Sequence, residues 1–190
     1  MNVDFKLPVR YGLIGGFVMC LISILTYMFY RQLFGSFTSQ MLFGLVTMGI
    51  MIFIPVWGAV TYKREHGGVI DFKTALVVAF TIYAITVACS SVLSYVIPNY
   101  LDTDYPNELL ELVQNTTRES MEKFNAPQES IDKAIEGMTV DKFKPSAVQA
   151  LKGFGINLIV GLVLGLLIAV FVSRKPKNYN QTIDEVPQSS

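Results

Sequence analysis

The chain has 190 residues, 52% of them hydrophobic and 16% charged, with zero net charge, one histidine and two cysteines. Soluble domains carry roughly a quarter charged residues, so this composition excludes an ordinary water-soluble fold. Zero net charge likewise leaves nothing to hold the phosphates of a nucleic acid.

Charges are clustered as well as few. Residues 11–30, 32–62, 74–101 and 153–173 contain no Asp, Glu, Lys, Arg or His. A helix rises ~1.5 Å per residue, so ~20 apolar residues cross a hydrocarbon core of ~30 Å. The fold class that follows is all-α, an integral membrane four-helix bundle. Its spans are expected at about 11–30, 41–62, 74–97 and 153–173.

The first span ends in Tyr27, Phe29 and Tyr30, rings suited to the headgroup boundary. Its apolar run exceeds that of a signal peptide and no small-residue cleavage site follows, so the span is expected to be retained. Gly12, Gly16 and Cys20 form a strip of small residues along it. "RQLFGSFTSQ" then reads as a connection, and the second span closes on Trp57 and Tyr62 with a kink expected at Pro55.

"YKREHGGVIDFKTAL", residues 62–76, must reverse the chain between the second and third spans. Gly67 and Gly68 permit positive φ, Asp71 can cap the third helix, and Lys63 and Arg64 suit the negative end of the second. An acid–base or metal cluster built on Glu65, His66 and Asp71 is the competing reading. Zinc needs three or four ligands and no second histidine exists to help. The turn is therefore read as structural.

The third span carries Thr81, Thr86, Ser90, Ser91 and Ser94, and Pro98 is expected to end it. Residues 99–152 form the soluble part, an extracytoplasmic helical loop between the third and fourth spans. Leu109, Val113, Met121 and Phe124 give one amphipathic stripe, and Ile131, Ala134, Ile135 and Met138 a second. A helical stretch from Pro145-Ser146 is expected to run into the fourth span without a break.

In the fourth span Gly153, Asn157, Gly161, Gly165, Ala169 and Ser173 recur every four residues, a face where another backbone can come close. The expected partner is the strip on the first span, with pairing of two copies as the alternative. Residues 174–190, "RKPKNYNQTIDEVPQSS", read as a disordered cytoplasmic tail.

Orientation rests on basic residues. Lys6, Arg10, Lys63, Arg64, Lys73, Arg174, Lys175 and Lys177 crowd short segments on one side. The seven on the other side are mostly spread through a loop with ten acids. Short loops carry the orientation signal, so both termini and the Gly-Gly turn are expected in the cytoplasm. Cys20 and Cys89 both lie in spans, so no loop disulfide is expected. That absence separates the chain from tetraspanins, whose outline it shares.

The order of Lys63-Arg64, the glycines before Phe72, Ala75, Pro98 and the loop "MEKFNAPQESIDKAIEGM" resembles an uncharacterised bacterial family, domain of unknown function 4199, found mainly in Bacteroidetes. The likeness runs from about Leu7 to Ser173. It implies a four-span inner-membrane protein and brings no catalytic residues.

No nucleophile–base pair, phosphate-cradling loop or ligand cluster is visible, so neither an enzyme nor a cofactor is expected. The partners expected are the lipid bilayer and a second copy or another membrane protein, with no nucleic acid. A non-enzymatic assembly or interaction protein is the leading reading. A transporter or channel component for a small solute, using the polar face of the third span, and a membrane sensor reading through the loop are the alternatives.

Overall fold

The computed structural model describes residues 3–173; the tail 174–190 lies outside the described residues. In chain order it contains α1 (Lys6–Met28), α2 (Tyr30–Phe34), α3 (Phe37–Glu65), α4 (Phe72–Val96), α5 (Tyr105–Lys123), α6 (Gln128–Glu136) and α7 (Ala147–Val172). One π turn, Ile97–Leu101, extends α4, and a 3₁₀ turn, Val140–Lys142, precedes α7. No strand occurs among the described residues. Helices α1, α3, α4 with its π turn, and α7 are each long and apolar enough to cross a membrane. The protein is a four-span helical membrane protein with α5 and α6 forming a head beyond one face.

The helices outrun the charge-free stretches at several ends because basic residues tolerate a helix terminus at the boundary. Lys6 and Arg10 sit inside α1, and Lys63 and Arg64 in the last turn of α3. "RQLFGSFTSQ" is not irregular: it makes α2 and the first turn of α3, divided at Gly35 and the extended Ser36. Pro98 does not stop its helix either. The chain widens into the π turn, where the Asp102 N–H donates to the Ile97 carbonyl at 3.0 Å. α7 runs unbroken from the head into the membrane, started by a capping box between Ser146 and Gln149.

Helix α4 is the centre and touches α1, α3 and α7. Its Ala75, Val78, Ala79 and Ile82 are fully buried with Ala59 and Tyr62 of α3 and Ala169 of α7. The small strips of α1 and α7, expected to pack on each other, pack instead on α4. A Cβ on Gly12 would stand 2.7 Å from the Ile85 Cβ, and one on Gly16 the same distance from the Cys89 Sγ. Gly161 lies against the Tyr83 ring and Gly165 against Leu76 and Phe80. Bulk facing glycine fills space to interior density, whereas two facing glycine strips leave large side chains no place between them.

Tight packing occupies only the half of the bundle nearer the Gly-Gly turn. α3 has no buried residue before Ile54, α7 none before Gly161, and α1 none after Met19. Gly44, Gly49, Gly153 and Gly155 would each accept a Cβ with nothing within 4 Å. Gly153 and Asn157 are thus removed from the packed strip. Asn157 is exposed, and its amide turns back to the Gly153 carbonyl at 3.0 Å.

Candidate functional site

Two polar regions lie at opposite ends of the bundle. At the turn, Gly67 and Gly68 take φ of +78° and +77°, which the sequence anticipates. The Gly68 N–H donates to the Lys63 carbonyl at 2.9 Å and closes α3. Asp71 caps α4, accepting from the Thr74 N–H at 3.1 Å and the Thr74 hydroxyl at 2.6 Å. Those bonds hold its carboxyl below the ordinary value, the hydroxyl contributing most.

Lys63 does more than sit at its own helix end. Its Nζ donates to the Val172 carbonyl at 2.6 Å, tying the terminus of α7 to that of α3. Arg64 is exposed. His66 stacks on Tyr62, ring centroids 3.9 Å apart, and its Nδ1 donates to the Tyr62 carbonyl at 2.9 Å. The buried Tyr62 hydroxyl in turn accepts from the Asp4 N–H at 3.2 Å. The histidine thereby closes a helix, and no group of three His, Cys, Asp or Glu able to hold a metal occurs among the described residues.

At the head end, aromatic and acidic side chains from α1, α2 and α5 converge. The Tyr27 hydroxyl donates to Asp102 at 3.1 Å, Arg31 Nη2 to Glu108 at 2.8 Å, and the Tyr30 hydroxyl to the same Glu108 oxygen. Tyr105 stands edge-on to both Tyr27 and Tyr30, with centroids 5.3 and 5.1 Å away. Tyr30 and then Arg31 pull the Glu108 carboxyl below its ordinary range. The Tyr105 N–H does the same for Asp102. Burial pushes the Tyr105 phenol up to about 12.

The head is seated by Leu109 and by Thr116, both buried. The Thr116 hydroxyl bonds both the Leu112 and Phe34 carbonyls at 2.9 Å, joining α5 to the end of α2. Phe124, read as part of the apolar stripe, is 77% exposed because α5 ends at Lys123 and the chain turns through Asn125 at positive φ.

Between these layers is a cavity of about 350 Å³. Met19, Ile22, Ser23 and Thr26 of α1 form one wall; Phe43 and Thr47 of α3, with Ser94 of α4, form others. Tyr105 and Leu109 of α5 and the segment carrying Lys142 and Phe143 lie over it. The hydroxyls of Ser23, Thr26 and Thr47 donate to carbonyls of their own helices at 2.9, 2.7 and 2.8 Å. Ser94 and Pro145 also line a second hollow of about 270 Å³, which continues down α4 and α7 past Ser90, Gly153 and Asn157. Among the third-span hydroxyls, Thr81 lines neither hollow, and nor does Thr86. Thr86 is buried against α1, with its hydroxyl 2.9 Å from the Ile82 carbonyl and 3.3 Å from that of Gly12.

Spans, head and hollow together define an all-helical, four-span membrane protein with a roofed cavity in one half. The chain belongs to the family described as Protein of unknown function (DUF4199), whose model matches residues 10–174. No curated protein matches it. No solved structure matches it.

Proposed function

We propose that this is a non-enzymatic integral membrane protein that works by interaction within the bilayer. It is placed in the cytoplasmic membrane with both termini and the Gly-Gly turn in the cytoplasm and the head outside. The basic density of residues Lys6, Arg10, Lys63, Arg64 and Lys73 supports that orientation. The observation that carries the interaction reading is the half-packed bundle. Burial ends at Ile54 in α3 and begins only at Gly161 in α7. A Cβ on Gly44, Gly49, Gly153 or Gly155 would meet nothing within 4 Å. Such faces let another helix approach to backbone distance.

Crosslinking in native membranes tests it. Gly44→Leu and Gly153→Leu remove crosslinks to a second copy or another membrane protein, while Val163→Leu leaves them. A wild-type chain that yields no crosslinked species under any chemistry overturns the reading. The roofed cavity favours a second reading, sensing of a small molecule from the head side. Deletion of residues 107–138 then abolishes the response and leaves membrane insertion intact.

A further inference from the structure

The cavity beneath the head has an uneven polar character. Ser23, Thr26 and Thr47 have turned their protons onto their own helices, so those walls present carbon and oxygen lone pairs only. Free donors come from elsewhere. The hydroxyls of Ser94 and Tyr105 make no hydrogen bond among the described residues. Lys142 is the single charged residue lining the cavity. Its ammonium donates one proton to the Gly137 carbonyl at 2.5 Å and retains two.

Lys142 forms no ion pair among the described residues, and no acid lines the cavity. Asp102 lies outside the lining and accepts from the Tyr27 hydroxyl and from the N–H groups of Asp104 and Tyr105. Glu108 holds Tyr30 and Arg31. The charge that the lining itself supplies is therefore positive, at its exposed rim. The remainder of the lining, Met19, Ile22, Phe43 and Leu109, is aliphatic or aromatic.

We propose that the cavity binds a single-chain aliphatic carboxylate, its head on Lys142 with Ser94 and Tyr105, and its chain between Ile22, Phe43 and Leu109. Size selects the occupant. A volume of about 350 Å³ lies at the small end of ligand pockets, which run from about 300 to 1,000 Å³. That accommodates one short acyl chain. A carboxylate also matches the two remaining ammonium protons as charge-assisted acceptors. The inference rests on the ligand-sensing reading and is independent of the half-packed faces.

Octanoate, with about ten heavy atoms, is the probe. Its binding to the full chain in phosphatidylcholine nanodiscs is measured by equilibrium dialysis at neutral pH, against empty discs. The expected result is saturable binding of one octanoate per chain, weakened about tenfold or more by Lys142→Gln and retained by Lys142→Arg. Lys152→Gln, outside the cavity, leaves it unchanged. 1-Octanol, which lacks the charge, binds Lys142→Gln and the wild type alike. Thr47→Phe fills the cavity and removes both ligands; Lys142 lies on the exposed head surface, so Lys142→Gln carries the test if Thr47→Phe does not fold.

Uptake equal to that of empty discs, or unchanged affinity in Lys142→Gln, overturns the proposal. Displacement of octanoate by a few mole per cent of phosphatidate in the disc identifies a bilayer headgroup as occupant and overturns it too. Persistence of octanoate binding in the Gly153→Leu variant separates this site from the assembly faces.

Discussion

Replacing Gly12 by alanine tests the packing of α1 on α4 at its tightest point. The added Cβ would lie 2.7 Å from the Ile85 Cβ and 3.0 Å from its Cγ2. Carbon pairs rest at about 3.5–4.0 Å. Neither Cβ can swing aside, since each is fixed by its backbone, so the two helices must part by about 1 Å. The parting also stretches the 3.3 Å contact from the Thr86 hydroxyl to the Gly12 carbonyl. Forcing a methyl into a well-packed site costs about 1–3 kcal/mol. Alanine returns about 0.5–1 kcal/mol through its better helix propensity. Gly153→Ala supplies the control, because its Cβ meets nothing within 4 Å and gains the same propensity. The difference between the two variants therefore isolates the collision at about 1–3 kcal/mol. At 2–4 °C per kcal/mol for a chain of this size, their melting temperatures separate by about 2–12 °C. Thermal melts in mild detergent by far-UV circular dichroism measure it. Trp57 fluorescence gives a local reading, since Trp57 packs edge-on to Tyr11 at 5.1 Å, one residue from Gly12. Equal melting temperatures for Gly12→Ala and Gly153→Ala refute the packing.

Asp71→Ala removes the α4 cap and lowers the melting temperature by a few degrees, whereas Asp71→Ser, which can still accept from the Thr74 N–H, recovers most of it; equal losses contradict a capping role. Glu108 and Asp102 have depressed carboxyl values when folded, so their contribution is present above the ordinary carboxylate range and is lost as pH falls through the depressed values. Acid titration below pH 4.5 loosens the head first, read as amide exchange in α5 ahead of α4, and Glu108→Gln reduces that pH dependence to the part that Asp102 carries. Tyr105 is raised to about 12 from 10.0, so the stability that it adds is complete below pH 10 and declines as pH rises towards 12. Tyr105→Phe flattens an alkaline melting curve over that window. Gly161→Leu drives a side chain into Tyr83 and disrupts the bundle itself, lowering the yield of folded monomer as well as any oligomer.

The spans could be read directly because the bilayer demands long charge-free stretches, and residues 11–30, 32–62, 74–101 and 153–173 supply them. The turn was equally readable: Gly67, Gly68 and Asp71 each answer a local backbone requirement that needs no knowledge of neighbours. What small residues reveal is close approach, not the identity of the neighbour. Gly12 and Gly161 therefore announced contacts without announcing α4 as the common partner. The same face of α7 continues to Gly153 with identical periodicity, yet burial along it begins only at Gly161, a limit set by the tertiary packing. Lys63 reaching the Val172 carbonyl and Tyr30 and Arg31 reaching Glu108 are bonds between residues far apart in sequence. Thr116 carried no apolar signal, yet its hydroxyl joins α5 to α2. Phe124 carried a strong one, but the end of α5 at Lys123 takes it outside.

Single-sided thiol labelling tests the four-span arrangement most directly. In a chain with Cys20 and Cys89 changed to alanine, cysteine is placed either at Asn115 in the head or at Gly68 in the turn. A membrane-impermeant maleimide added to intact spheroplasts labels Asn115→Cys at once and Gly68→Cys only after lysis. Labelling of both sites before lysis contradicts an arrangement in which head and turn lie on opposite faces of the membrane, and labelling of Gly68→Cys alone contradicts a head that lies outside.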